Sequence, residues 1–321
     1  MDVQTALVFA LQLVALFSIA GALLLYLLCK IRGNSKPDEN GTSPGGGKPV
    51  LITCCDNVVG LQVAIHLANR GFRVFAGLKE GATEGCNNDD SVPSRVIRSW
   101  QKHRESTECL TTGALIALPI DVTREDVLHE AVDIIRAHLP AGKDGLWAVI
   151  NTGGLLYRGK LDQQNISHWD AMLKTTVLGI LRVTRAFQGL LRSAGGRIIT
   201  FGAIEGGEAG LVAYTASRYA VEGASNALRE ELSPMGIKVV CLNNHGLPDD
   251  LMFAMPKLKS KQESGDVSVD MSGCLDYYPT ALSDTALQTL DVAITSGKPK
   301  RNYTLMRNPK WLNPLQFVKV V

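Results

Sequence analysis

The sequence lacks the patterns that mark several classes of protein. It contains neither Cys-x-x-Cys nor His-x-x-x-His spacing, so no zinc or other metal site is expected. Its 7 cysteines are an odd and scattered set, which argues against a disulfide framework and favours a reducing compartment. The formal net charge is only +2, so the composition gives no reason to expect a nucleic-acid partner.

One long apolar run stands out at the amino end. Residues 5–29 are almost continuously apolar, and Gln12 is the main polar interruption. At ~1.5 Å per residue this run spans a bilayer core of about 30 Å, which predicts a transmembrane anchor. A cleaved signal peptide is the alternative, but it requires a basic start and a shorter apolar run.

The residues after this run predict its orientation. Lys30, Arg32 and Lys36 follow it directly, so the positive-inside rule places the large domain in the cytosol. We therefore expect a single-pass protein of the endoplasmic reticulum membrane. Glycosylation sequons occur at Asn40, Asn165 and Asn302. Such sequons can be glycosylated only on the luminal side of the membrane, so they keep a luminal orientation of the domain as an alternative.

The rest of the chain divides by composition. Residues 30–48 are rich in glycine, proline and polar side chains, which is typical of a flexible linker. Residues 49–306 alternate short β-prone runs with helical stretches, and residues 307–321 form a tail. Such alternation predicts an α/β fold, a single Rossmann-type doubly wound parallel sheet. We expect one long helix over residues 168–191, a helix capped by Thr123, and a last strand at residues 302–305.

Tyr214 and Arg218 are four residues apart on a predicted helix, so they share one face. A cation beside a phenol favours the phenolate and lowers the tyrosine pKa, which suits a proton donor. An ordinary amphipathic helix with a surface tyrosine and arginine has the same spacing.

Several motifs, in order, resemble the short-chain dehydrogenase/reductase family. Tyr214-x-x-x-Arg218 resembles its Tyr-x-x-x-Lys, Asn151-Thr-Gly-Gly resembles Asn-Asn-Ala-Gly, and Asp121-Val resembles its adenine-contacting Asp-Val. The runs at residues 71–77 and 144–151 resemble the membrane-bound subgroup of 17-beta-hydroxysteroid, retinol and hydroxybutyrate dehydrogenases.

The resemblance implies a set of site residues. Tyr214 would be the general acid/base and Arg218 its electrostatic partner, while Thr176 and Ala203 stand where the family has asparagine and serine. The residues implied for NAD or NADP binding are Thr53, Asn57, Gly60, Asp121, Asn151 and Gly153. Asp121 could instead be no more than the start of a helix cap.

The departures from the family pattern fall on the residues that bind the coenzyme or catalyse the reaction in that family. The phosphate-binding turn reads Thr-Cys-Cys-Asp-Asn-Val-Val-Gly over residues 53–60, so Cys54 and Val58 replace two glycines. Valine is a poor substitute if that position needs φ > 0, and the turn could bind nothing. Ala203 lacks the serine hydroxyl, whose loss costs ~10²–10³ in rate. Thr200, on the neighbouring strand segment, carries a hydroxyl, but it is not expected to reach the substrate oxygen in place of this serine.

Two hypotheses follow from the resemblance. One is a membrane-anchored oxidoreductase for a lipophilic substrate, a steroid, sterol or retinoid alcohol or ketone, with impaired catalysis. The other is a non-catalytic family member that binds or scaffolds at the membrane. A homodimer is expected by analogy. The residues after the second strand, Lys79 and Glu80, carry both signs and do not distinguish NAD from NADP.

Overall fold

The computed structural model describes residues 44–79, 91–106, 113–204, 207–245, 247–259 and 275–306, together with Phe17. The chain separates into two compact units, Met1–Thr42 and Ser43–Val321. The second unit holds the α/β fold. The predicted anchor, apart from Phe17, and the predicted tail at residues 307–321 lie outside the described residues.

The main sheet has 7 strands in the order β3-β2-β1-β4-β5-β6-β9, and every neighbouring pair is parallel. The strands are β1 (Pro49–Ile52), β2 (Arg73–Leu78), β3 (Ala114–Pro119), β4 (Ala148–Asn151), β5 (Arg197–Ile204), β6 (Lys238–His245) and β9 (Asn302–Met306). A separate antiparallel pair consists of β7 (Lys257–Leu258) and β8 (Tyr277–Tyr278). The strand order reverses between β1 and β4, where parallel α/β sheets open a binding crevice.

Helices cover both faces of the sheet. They are α1 (Val58–Asn69), α2 (Val92–Ser106), α3 (Glu125–Ala137), α4 (Ile166–Leu173), α5 (Gly179–Ala194), α6 (Val212–Leu232), α7 (Asp249–Met252) and α8 (Asp284–Thr295). Alternate strand residues enter opposite cores. Val50 and Ile52 pack with α1, α2 and α8, whereas Leu51 packs with α3, α5 and α6. This confirms the predicted doubly wound α/β sheet, including its last strand.

The helix expected over residues 168–191 is present as one continuous helical segment, in which a π-helical turn, Lys174–Leu178, joins α4 to α5. Such turns widen a helix locally and are frequent at functional sites. One local prediction was wrong: Thr123 does not cap α3, because the helix begins at Glu125 and Arg124 occupies the N-cap position. The hydroxyl of Thr123 donates to Asp121 Oδ1 at 2.7 Å instead.

The end of the predicted linker is bound to the domain. Gly45 N donates to Arg70 O and Gly47 N to Gly71 O, both at 2.9 Å. A Cβ on Gly45 would lie 2.4 Å from the Gly71 carbonyl carbon, so the turn packs closely against the end of α1.

Of the helices in the described ranges, none combines the length and the apolar character that a bilayer crossing needs.

Candidate active site

The candidate site lies at the carboxyl ends of β1 and β4, on both sides of the reversal in strand order. The turn after β1 and the turn after β4 are bound together. Thr152 N donates to Thr53 Oγ1 at 3.3 Å, and Asn57 Nδ2 donates to Thr152 O at 2.9 Å. Thr152 Oγ1 also donates to Cys54 O at 2.7 Å. The structure thus brings together Thr53 and Asn57 from one motif and the Asn151–Gly153 turn from the other.

The first turn of α1 has its hydrogen-bonding groups engaged within the chain. Asn57 is the N-cap, and its Oδ1 accepts from Gly60 N at 2.7 Å. Val58 N donates to Ala254 O at 2.9 Å. In dinucleotide folds the amides of this turn face the pyrophosphate. Here two of them already have partners in the protein.

Cys54 and Val58 fit this turn without backbone strain. No described residue other than glycine has a positive φ, so Val58 is not forced into a glycine conformation. Its side chain is buried in the hydrophobic core. Burial raises the pKa of the Cys54 thiol to about 12, so this thiol is neutral. A Cβ on Gly60 would lie 1.7 Å from Cys54 O, which explains why a glycine stands there.

A cavity of about 300 Å³ lies in the crevice and extends from the ends of β2 and β3 to the turn after β4. Asp56, Lys79, Asp121 and Thr123 line it. Burial raises the pKa of Asp121, but hydrogen bonds from Thr123 and the charge of Lys79 outweigh it and hold that pKa below its ordinary value. Lys79 Nζ lies 3.6 Å from Asp121 Oδ2. We call this region the open end of the crevice; its lining is mostly apolar, and the charged pair of Asp121 and Lys79 lies on it.

Tyr214 lies at the opposite end, and it is fully buried. Its hydroxyl donates to Asp249 Oδ1 at 3.2 Å. Its ring meets the ring of Phe253 edge-on, with centroids 6.2 Å apart. Burial raises the pKa of Tyr214; the charge of Arg218 opposes this, and Asp249 adds to it. The charge of Arg218 therefore lowers the pKa of Tyr214 as predicted, but burial outweighs it and the net shift is upward.

Arg218 is bound to the backbone of β5. Its Nε donates to Gly202 O at 3.2 Å, and its Nη2 donates to Phe201 O. These carbonyls lie where β5 changes register against β6, between Phe201 and Ile204. A planar guanidinium can hold both carbonyls at once, a geometry that a compact ammonium does not offer. Arg218 thus fixes β5, while its charge still acts on Tyr214.

None of the residues considered as replacements for the family's asparagine and serine forms a hydrogen bond with Tyr214 in the described part of the chain. Thr176 lies on the π-helical turn, and its buried hydroxyl has no hydrogen-bond partner among the described residues. Thr200 bonds Ser225 Oγ at 2.9 Å, towards α6, so it does not replace the missing serine. A Cβ on Gly202 would lie 2.1 Å from Cys241 Sγ, so a serine does not fit there either. Ala203 belongs to β5. Asn151 is buried, and its Nδ2 has no partner within the described ranges.

The segment at residues 249–255, which we call the closing segment, separates the two ends of the crevice. Asp249 binds Tyr214, Ala254 binds the first turn of α1, and Phe253 lies against Gly154. A Cβ on Gly154 would be 2.4 Å from the ring of Phe253, so this packing requires glycine. Arg158 holds the segment from outside, through Asp250 Oδ1 at 2.8 Å.

Reasoning from the sequence missed the closing segment. Its signals were Pro248 after β6 and the apolar run Leu-Met-Phe-Ala-Met that follows Asp249 and Asp250. Phe253 and Met255 line the cavity, whereas Tyr214 and Arg218 are not among the described residues that line it. The closing segment therefore forms the wall between the cavity and the tyrosine.

The comparisons with known proteins agree with this fold and these motifs. The family model described as short chain dehydrogenase matches residues 48–248. The chain belongs to the short-chain dehydrogenase/reductase family.

Its relatives carry the names of hydroxybutyrate and hydroxysteroid dehydrogenases. It is 30% identical over 223 residues to the mitochondrial D-beta-hydroxybutyrate dehydrogenase of Bos taurus, covering 68% of this chain and 60% of that one. It is 31% identical to the 17-beta-hydroxysteroid dehydrogenase type 6 of Homo sapiens, covering 60% of this chain and 54% of the relative. The chain thus spans little more than half the length of these relatives.

Among solved structures, a short chain dehydrogenase from Burkholderia cenocepacia in complex with NADP superposes with a TM-score of 0.55. The sequences are 17% identical, and the match covers 81% of this chain and 89% of that one. A gluconate 5-dehydrogenase from the same organism, in complex with NADP and tartrate, gives a TM-score of 0.52 at 19% identity. At these identities the comparison establishes the fold.

The family implies a nicotinamide coenzyme, and the residues here fit only part of one. Asp121 lines the cavity, where it would contact the adenosine half. The closing segment bonds Val58 N, an amide of the kind that would hold the diphosphate, and places Phe253 against Gly154.

Proposed function

We propose that this chain is a membrane-anchored member of the family, of the oxidoreductase type, in which hydride transfer is impaired. The observation that supports this best is the state of Tyr214, which is fully buried and bonded to Asp249 behind the closing segment. A general acid must lie within hydrogen-bond reach of the substrate oxygen. Tyr214 can meet that requirement only after the closing segment moves.

The substrate class follows from the relatives. Their names include 17-beta-hydroxysteroid dehydrogenase type 6 and 3beta-hydroxysteroid dehydrogenase. We take a lipophilic alcohol or ketone, of steroid, sterol or retinoid type, as the ligand. Such a ligand would reach the domain from the membrane to which residues 5–29 would attach it, in the endoplasmic reticulum with the domain in the cytosol. NAD or NADP would be the coenzyme of any activity that remains.

A second candidate is a non-catalytic binding or scaffolding module. The hydrogen bond from Val58 N to Ala254 O favours it, since this bond removes a phosphate-binding amide. A second copy of the chain is a plausible partner, because α5 and α6 expose Leu181 and Tyr219. Sedimentation of the detergent-solubilised protein would separate monomer from dimer.

Coenzyme binding is the test of both candidates. The full chain in detergent would be titrated with NADH and NADPH by calorimetry. We expect no binding at micromolar coenzyme. Micromolar binding of either coenzyme, with turnover of a steroid or retinoid, would overturn impaired catalysis. Binding without turnover of any such substrate would favour the first candidate over the second.

A further inference from the structure

Basic side chains cluster at the amino ends of the strands, on the side of the sheet opposite the crevice. All neighbouring strands are parallel, so their amino ends share this edge, which we call the amino edge. Its basic residues lie just before or at the start of β1, β4, β5, β6 and β9. They are Lys48, Lys143, Arg192, Lys238, Lys298 and Lys300. None of these forms an ion pair with another described residue.

At the opposite edge of the sheet, basic side chains form ion pairs with carboxylates. There Lys79 faces Asp121, Arg124 faces Asp126, and Arg158 faces Asp250 and Glu208. The amino edge also has acidic residues, namely Glu105, Asp144, Glu230 and Glu231. Of these, Glu230 faces Arg301 at 3.9 Å. The six basic residues named above thus form no ion pair with a described acidic side chain, although Asp144 lines the same cavity as Lys48 and Lys143.

A second cavity lies on this edge. It has a volume of about 250 Å³ and is lined by Lys48, Lys143, Trp147, Ser193 and Asp144, among others. Lys48 Nζ lies 4.3 Å from the centre of the Trp147 ring, on which Arg197 also stacks at 4.4 Å. Cations, a hydroxyl and an indole at the mouth of a cavity suit a phosphate ester attached to an apolar body.

The charges around this cavity repel one another. Burial lowers the pKa of Lys48, and the charges of Arg197 and Lys143 lower it further. The pKa of Lys238 is lowered in the same way, by burial and then by Arg197. Arg197 is fully buried, and its Nε and Nη2 have no hydrogen-bond partner in the described part of the chain. An anion nearby would relieve this repulsion.

The path of the chain indicates the source of the anion. The turn at residues 44–48 enters the domain at this edge, and the predicted anchor ends at residue 29. A chain that leaves the proposed anchor therefore joins the domain at the amino edge. Lysines near an anionic leaflet are attracted by its surface potential.

We propose that the amino edge docks on the anionic phospholipid surface of the membrane, with a headgroup phosphate in the cavity beside Lys48 and Lys143. This inference rests on the proposed membrane attachment. Docking in this way points the crevice away from the bilayer, so a lipophilic ligand reaches it by leaving the membrane.

The test uses the full chain in nanodiscs of phosphatidylcholine alone or with phosphatidylserine. Hydrogen exchange would be followed in peptides that cover residues 44–48 and 139–147. We expect exchange there to be slower in the anionic discs. Lys143→Glu should weaken this protection by about fivefold or more. Lys160→Glu, an exposed substitution of the same charge at the opposite edge, should change it less than twofold.

The outcomes separate the proposals. Equal exchange in both discs, or equal effects of Lys143→Glu and Lys160→Glu, would refute docking. Protection by inorganic phosphate in neutral discs would identify a free-anion site instead. If the chain fails to enter discs, the anchor is refuted, and sedimentation of the same protein with anionic vesicles tests the surface directly. Lys298→Glu serves as a second variant if Lys143→Glu does not fold.

Discussion

The two ends of the crevice differ in solvent access and in charge. At the open end, Asp121 lies beside Lys79 in a cavity of about 300 Å³, and its pKa is held low. At the closed end, Tyr214 is buried under the closing segment, and its pKa is raised. The two ends therefore differ in access: the cavity at the open end is accessible, whereas Tyr214 is covered by the closing segment. Substitutions made separately at each end test whether the closing segment always covers Tyr214.

The largest effect is expected where β1 meets α1. In Gly60→Ala the new Cβ would lie 1.7 Å from Cys54 O, so the turn must move. We expect the free energy of unfolding to fall by about 3 kcal/mol, as measured by urea titration. Gly223→Ala on α6 is the matched control, since no atom lies within 4 Å of its Cβ position. It should raise the free energy of unfolding by ~0.5–1 kcal/mol. Equal effects at both glycines would mean that the turn is not closely packed.

Arg218→Lys restores the family's residue at the closed end. The shorter ammonium should leave at least one carbonyl of Phe201 and Gly202 without its donor, so we expect a loss of about 2 kcal/mol in the free energy of unfolding. Coenzyme binding should not appear. Arg192→Lys, at an exposed arginine, should change stability by less than ~0.5 kcal/mol. A variant that keeps its stability and gains coenzyme binding would show that Arg218 is not a structural anchor.

Phe253→Ala removes the ring that lies against Gly154. If the closing segment is what excludes the coenzyme, affinity for NADH or NADPH should rise at least about tenfold, equivalent to ~1.4 kcal/mol. Calorimetry measures this directly. Met255→Ala is the control, because Met255 lines the cavity and is exposed. It should leave the affinity within about twofold. No gain with Phe253→Ala would favour the non-catalytic module.

The smallest effect is expected from Tyr214→Phe, through pH. Because the folded-state pKa of Tyr214 is raised, its stabilising contribution is full below about pH 10, the ordinary tyrosine pKa, and is lost as pH rises above it. The wild-type chain should therefore lose more stability than Tyr214→Phe between about pH 9 and 11. Unfolding titrations across that range would measure the difference. Parallel pH profiles would mean that Tyr214 is not sequestered.

The sequence predicted the sheet because its signals are local and repeated. Short β-branched runs alternate with helical stretches, so the parallel order and the buried strands could be read directly. The π-helical turn at Lys174–Leu178 could not be predicted, because the apolar period continues through it. The cap assigned to Thr123 failed because the helix begins at Glu125, which makes Arg124 the N-cap, and helix ends are hard to place to one residue from sequence.

For the site, the sequence by itself determined which residues are present: Tyr214 and Arg218 at helical spacing, and a turn after β1 that has lost two glycines. It could not determine what they touch. Only the tertiary structure turned Arg218 to the carbonyls of β5 and joined Tyr214 to Asp249. These bonds connect residues distant in sequence, and burial, which spacing does not reveal, reversed the expected direction of the tyrosine pKa.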